Sequence, residues 1–136
     1  MADRLLYDGE CRFCRWSLAW ILRWDRRGAL VPVALQGPEA NELLDGMDAE
    51  RRMASWHLVS DDGTVTSAGA ALAPLLRRLP GGRLPAALAA ALPPGLVERA
   101  YAWVARHRGA LGRRLTDRAV ARADEVIAQR RAAPPG

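Results

Sequence analysis

The chain has 136 residues, half of them apolar, a net charge of +5 and only two cysteines. That length suits one domain whose core is large enough to need no disulfide for stability. No apolar run reaches the length of a membrane span, and Met1-Ala2-Asp3-Arg4 leads into the first apolar run with no signal-peptide pattern, so the expectation is a soluble cytoplasmic protein.

The first predicted strand is Arg4–Tyr7, and Asp8-Gly9 makes a tight turn after it. Helical periodicity runs from Arg12 to about Arg26 and closes near Gly28. Trp16, Trp20 and Trp24 recur every four residues there and are expected to form a core stripe. Ala29–Leu35 is a buried strand, and Pro32 places it at an edge or a bend. Pro38–Leu44 is a short helix with proline near its start. Trp56–Ser60 and Thr64–Thr66 are the strands of a hairpin turning at Asp61-Asp62-Gly63. Ser67 is placed to cap a helix from Ala68 to about Leu79, with Pro74 as a kink inside it and Pro80-Gly81-Gly82 as its stop. Leu84–Leu92 is an Ala-rich helix ended by Pro93-Pro94-Gly95. Leu96 to about His107 is amphipathic, with Leu96, Val97, Ala100, Tyr101 and Val104 on one stripe. Thr116 to about Arg130 is a last, mostly polar helix, and residues 132–136 are expected to be a disordered tail.

Strand, helix, strand, then hairpin and helix, is the order of an α/β fold with a small mixed sheet. The crossover suits a parallel first pair, and the hairpin adds antiparallel strands. Residues 1–131 are read as one domain, with a helical extension from about residue 84.

The chemistry lies at Cys11-Arg12-Phe13-Cys14, a Cys-x-x-Cys on the first turn of the first helix. Side chains three apart share a helix face, so the two sulfurs are close enough to join without large backbone movement. The unpaired N–H groups of a helix start favour a thiolate. Arg12 and Arg15 add positive charge, while Asp8 and Glu10 oppose it. Cys11, nearest the loop, is the candidate nucleophile, and Cys14, one turn deeper, the candidate resolving thiol. Asp8, three residues before Cys11, is a candidate proton relay, and its other role is turn and cap chemistry. No metal or organic cofactor is required, and the expected partner is a protein or small-molecule thiol or disulfide.

Other readings of the pair stay open. A Cys-x-x-Cys is half of a zinc site, whose remaining ligands would have to be His57 and His107. Two inert buried cysteines are another. The charge offers a non-catalytic alternative. Residues 1–76 carry eight Arg and eleven acidic residues, a net −3, whereas residues 77–136 carry twelve Arg and four acidic residues, a net +8. That basic half suits an acidic partner. All twenty basic residues are Arg, which points to composition bias more than to phosphate recognition, so no specific nucleic-acid function is expected.

Tyr7-Asp8-Gly9-Glu10-Cys11-Arg12-Phe13-Cys14 resembles the opening of the thiol-disulfide oxidoreductase DCC family, named for its Asp, Cys, Cys motif. Asp8, Cys11 and Cys14 fall on the name-giving positions. Val59–Ala71 resembles that family's middle hairpin and following helix, and Tyr101–Leu111, with His107-Arg108, its late helix. The resemblance covers roughly residues 4–115 and implies a thioredoxin-like fold with dithiol chemistry. Thioredoxins themselves place a cis-proline before the third core strand. Here that stretch is Met53-Ala54-Ser55-Trp56-His57, with Ala54 or Ser55 in the proline's place, so nothing specific to glutathione is implied.

Overall fold

The computed structural model describes residues 3–133. Leu5, Leu6 and Tyr7 are all buried because their strand, β1 (Asp3–Tyr7), is an inner strand covered on both faces. Helix α1 (Arg12–Trp24) crosses from it to β2 (Leu30–Ala34), which pairs with β1 in parallel. β3 (His57–Val59) runs antiparallel to β1, and β4 (Val65–Ser67) antiparallel to β3. The order β2-β1-β3-β4 is the thioredoxin-like α/β arrangement expected from the sequence, with the third strand against the others. β2 is an edge strand, which tolerates Pro32 opposite Leu5.

Side chains alternate across the sheet. Leu5 and Tyr7 join Leu18, Leu22, Leu58, Leu75 and Ile127 on one face. That face is covered by α1, α4 (Leu72–Arg78) and α7 (Asp117–Ala132). Leu6 joins Val33, Leu35, Leu44 and Val59 on the other, beside α2 (Pro38–Leu43) and α3 (Ala49–Ala54). α5 (Arg83–Ala91) packs on α4, and α6 (Pro94–Arg113) packs on α1 and on the 3-10 turn Ala68–Ala71. Where α6 meets α1, a Cβ on Gly112 would stand 3.2 Å from both the Arg12 Cβ and the Phe13 nitrogen, so only glycine lets the helices touch there without a shift.

Several expectations are corrected. The tryptophan stripe of α1 is not core: Trp20 is 55% and Trp24 40% exposed. Leu18, Ala19 and Leu22 form the buried face, and they sit on a different side of the 3.6-residue turn. Ser67 caps nothing, because its hydroxyl lies 2.6 Å from Nδ1 of the buried His57. The amide of Ala70 donates instead to Glu98 of α6 at 3.0 Å. Pro74 makes no break, since it is the third residue of α4, where the missing N–H has no partner to lose. α3, capped by Asp48, was not expected, and α6 runs past His107 to Arg113. Of the expected tail over 132–136, Ala132 closes α7, and residues 134–136 lie outside the described residues.

One interaction ties the ends of this arrangement together. Asp25 is fully buried just after α1 and accepts the N–H groups of Ala29 and Leu30 at 3.1 and 2.9 Å. Arg130 of α7 pairs with it at 2.6 Å and also donates to the carbonyls of Leu22, Asp25 and Leu30. The buried carboxylate and three carbonyls of the joint between α1 and β2 thus take hydrogen bonds from a residue at the far end of the chain.

Candidate active site

The turn Asp8-Gly9 brings the chain from the end of β1 into α1 with Cys11 as its N-cap and Cys14 in its first turn. The turn is fastened on both sides. The Asp8 carboxylate accepts the Glu10 N–H at 3.0 Å and the Gln36 amide at 2.8 Å, and Gln36 in turn accepts the Gly9 N–H at 3.0 Å. The Cys11 sulfur accepts the N–H of Cys14 at 3.2 Å, which is the capping bond of the helix. Both cysteines are free thiols and half-buried.

These contacts set the two thiols apart. The Cys11 thiol is lowered to about 6, chiefly by the hydrogen bond from the Cys14 side chain; burial opposes this, while the Cys14 N–H and the Arg108 charge add to it. The Cys14 thiol is pushed up, first because it donates to Cys11, then by burial and by the Cys11 charge. The cation that faces both is Arg108, on α6. Its guanidinium stands 3.8 Å from the Asp8 carboxylate and reaches the Met53 carbonyl at 3.4 Å.

Arg12 and Arg15, expected to serve the thiols, point elsewhere. Arg12 donates to the carbonyls of Gly112 and Leu115 at the end of α6 and pairs with Asp117; Arg15 pairs with Asp124. The structure therefore brings together Asp8, Cys11 and Cys14, as expected, and adds Arg108. The sequence offered that residue only within the likeness of Tyr101–Leu111 to a family's late helix. The histidines do not approach the pair. His57 lies on the opposite face of the sheet from Trp56, held by Ser67 and the Arg52 carbonyl, and His107 stacks on Trp103. Burial lowers the His57 pKa, which keeps the ring neutral. Among the described residues, no three of His, Cys, Asp and Glu are grouped to hold a metal ion.

Beside Cys14 an apolar slot opens between α1 and α6, with a volume of about 520 Å3. Trp16 and Trp20 line one side and Tyr101 and Val104 the other, above Trp56 and Leu72. Trp56 and Tyr101 stack at 5.8 Å. The Trp56 ring donates to the carbonyl of Ala68 at 2.8 Å, and Ala68 has a left-handed backbone (φ 53°), uncommon for a residue other than glycine.

A family model, DCC1-like thiol-disulfide oxidoreductase, matches residues 5–114. The chain belongs to this family. The match runs from β1 through α6, so it contains Asp8, both cysteines and Arg108, and leaves α7 outside. Comparison with curated proteins gives no match, and neither does comparison with solved structures. In this DCC1-like protein no helix among the described residues is long and apolar enough to cross a membrane. Arg99, Arg106, Arg113 and Arg114 of the basic half are exposed, as expected, whereas Arg108 and Arg130 turn inward.

Proposed function

We propose that the chain exchanges disulfides through Cys11 and Cys14, as a single folded unit over residues 3–131, in the cytoplasm. The observation that carries this reading is the Cys11 sulfur at the cap of α1, accepting the Cys14 N–H, with the two thiols shifted in opposite directions. The Cys11 thiolate attacks one sulfur of a substrate disulfide. That S–S bond breaks, and the leaving sulfur takes a proton. Cys14 then loses its proton, attacks the Cys11 sulfur of the mixed disulfide and releases the second substrate thiol. The protein is left with a Cys11–Cys14 disulfide, and a thiol donor restores it. No metal or organic cofactor enters.

Trapping tests the scheme. A Cys14→Ser protein keeps a side-chain donor beside Cys11 but has no resolving thiol. It should accumulate a mixed disulfide on Cys11 that mass spectrometry identifies, and wild-type protein should not. Recovery of the variant with an unmodified Cys11 after exposure to disulfides would remove the assignment.

We assign the Cys14 proton to Asp8, whose charge acts on both thiols and whose carboxylate stands 3.8 Å from the Arg108 guanidinium. Asp8→Asn retains an oxygen for the Glu10 and Gln36 bonds and loses the base. Release of a preformed mixed disulfide should slow by about tenfold or more, with an altered pH profile, since general bases contribute about 10²–10⁴. An unchanged release rate with a lower melting temperature would leave Asp8 as a turn residue only.

A further inference from the structure

We propose that the slot between α1 and α6 binds a low-molecular-weight disulfide carried on an apolar alkyl arm, and that this is the substrate class of the dithiol. The inference rests on the exchange reaction proposed above and adds what the pair acts on. The slot's volume, about 520 Å3, falls among small-ligand sites of roughly 300–1,000 Å3. α1 and α6 touch at Gly112, against Arg12 and Phe13, so Cys14 lies next to that contact and Trp20, more than half exposed, lies farther along α1. The lining from Phe13 to Ile21 on α1 spans about two helical turns, roughly 12 Å.

Two observations select the occupant. A peptide lying beside the dithiol would seek main-chain partners, but those of Trp56 are taken. Its N–H donates to the Tyr101 hydroxyl at 3.0 Å, and its carbonyl accepts the Ala68 N–H at 3.3 Å. Among the described residues, the charged side chains lining the slot are Asp8 and Arg108, and they face each other. A multiply charged thiol such as glutathione would lose hydration there without finding partners. An alkyl arm meets aromatic and aliphatic walls and leaves its disulfide beside Cys14, which lines the slot, within reach of Cys11, whose sulfur lies outside the lining but 3.2 Å from the Cys14 nitrogen.

The reaction balances with a cyclic five-membered disulfide. The Cys11 thiolate opens the ring by attacking one sulfur, and the freed sulfur takes a proton. Cys14 gives up its proton and displaces the second sulfur from Cys11. Two electrons pass from protein to substrate, giving an alkyl dithiol and the Cys11–Cys14 disulfide.

Lipoamide is the probe and glutathione disulfide the comparison. The second-order rate of each with reduced protein is divided by its rate with a free monothiol. Lipoamide should lead by about tenfold or more, since each buried methylene is worth roughly fourfold. Trp20→Ala, at a largely exposed side chain, and Ala105→Phe, which fills the slot, should each cut that lead several-fold. A ratio near one, a lead untouched by both variants, or a Phe-flanked peptide disulfide that outpaces lipoamide would overturn the proposal. The Cys11→Ser/Cys14→Ser double variant separates the slot from the thiols. Lipoamide should still quench its tryptophan fluorescence saturably. Such binding without exchange in wild type would sink the thiol reading alone, and exchange without binding would sink the slot.

Discussion

Iodoacetamide should label Cys11 at least about tenfold faster than Cys14 near pH 7, because only Cys11 is held as a thiolate there. Its rate should rise through pH 6 and level above about 7, following the thiol at about 6. Against a free cysteine of pKa about 8.5, the thiolate fraction at pH 6 is larger by about 150-fold, and the weaker nucleophilicity of an acidic thiol takes back about tenfold. Cys11 should therefore react about tenfold faster than free cysteine at pH 6, about twofold faster at pH 7 and more slowly above about pH 8. That crossing distinguishes an acidified thiol from one that is merely exposed. Arg108→Met keeps an apolar wall and removes the charge, and should raise the inflection by roughly half a pH unit or more. An inflection in the ordinary thiol range for wild type, or faster labelling of Cys14, would remove the nucleophile assignment. The same shift is a stability statement. The folded thiol titrates below the unfolded one, so its contribution is complete above the ordinary thiol range and is lost as the pH falls through about 6.

Arg130→Met should cost about 3–5 kcal/mol, since it leaves the Asp25 carboxylate buried without its cation. For a chain of this size that is a fall in melting temperature of about 10–20 °C, read by circular dichroism. A loss under about 1 kcal/mol would mean that the Ala29 and Leu30 N–H groups satisfy Asp25 alone. A chain ending at Pro94 should fare worse. It loses Val120, Ala123 and Ile127 from beneath α1 as well as Arg130, and should not fold although both cysteines remain.

What the sequence disclosed is what local rules control. The Asp8-Gly9 turn, the cysteines at a helix start, Pro32 on an edge strand and the hairpin at Asp61-Asp62-Gly63 each depend on a few neighbouring residues, and each is found in place. What it concealed depends on distant partners. Arg108 looks like any other arginine of an amphipathic helix until α6 is laid beside α1. Asp25 and Arg130 are 105 residues apart, and nothing local marks either as buried. Ser67 met the local rule for a cap and lost it to His57 on the adjacent strand. The tryptophans met the period of a core stripe, but periodicity cannot say which of two apolar faces the sheet takes. α3 is marked locally as well, since Asp48 is an ordinary N-cap residue and its carboxylate accepts the Arg51 N–H.

The lock between Asp25 and Arg130 also has a timetable. A ribosome adding roughly 5–20 residues per second takes on the order of 5–20 s to go from the end of α1 to residue 130. For that interval α1 has neither its buried cation nor its α7 wall, and Arg108 has yet to arrive for most of it. The contacts between Cys11 and Cys14 are local to the first turn of α1, so of the influences that lower the Cys11 thiol only the lesser one, the Arg108 charge, comes late. The Asp25 carboxylate is thus without its cation until the chain is nearly complete, so the joint between α1 and β2 is among the last parts of the fold to be secured during synthesis.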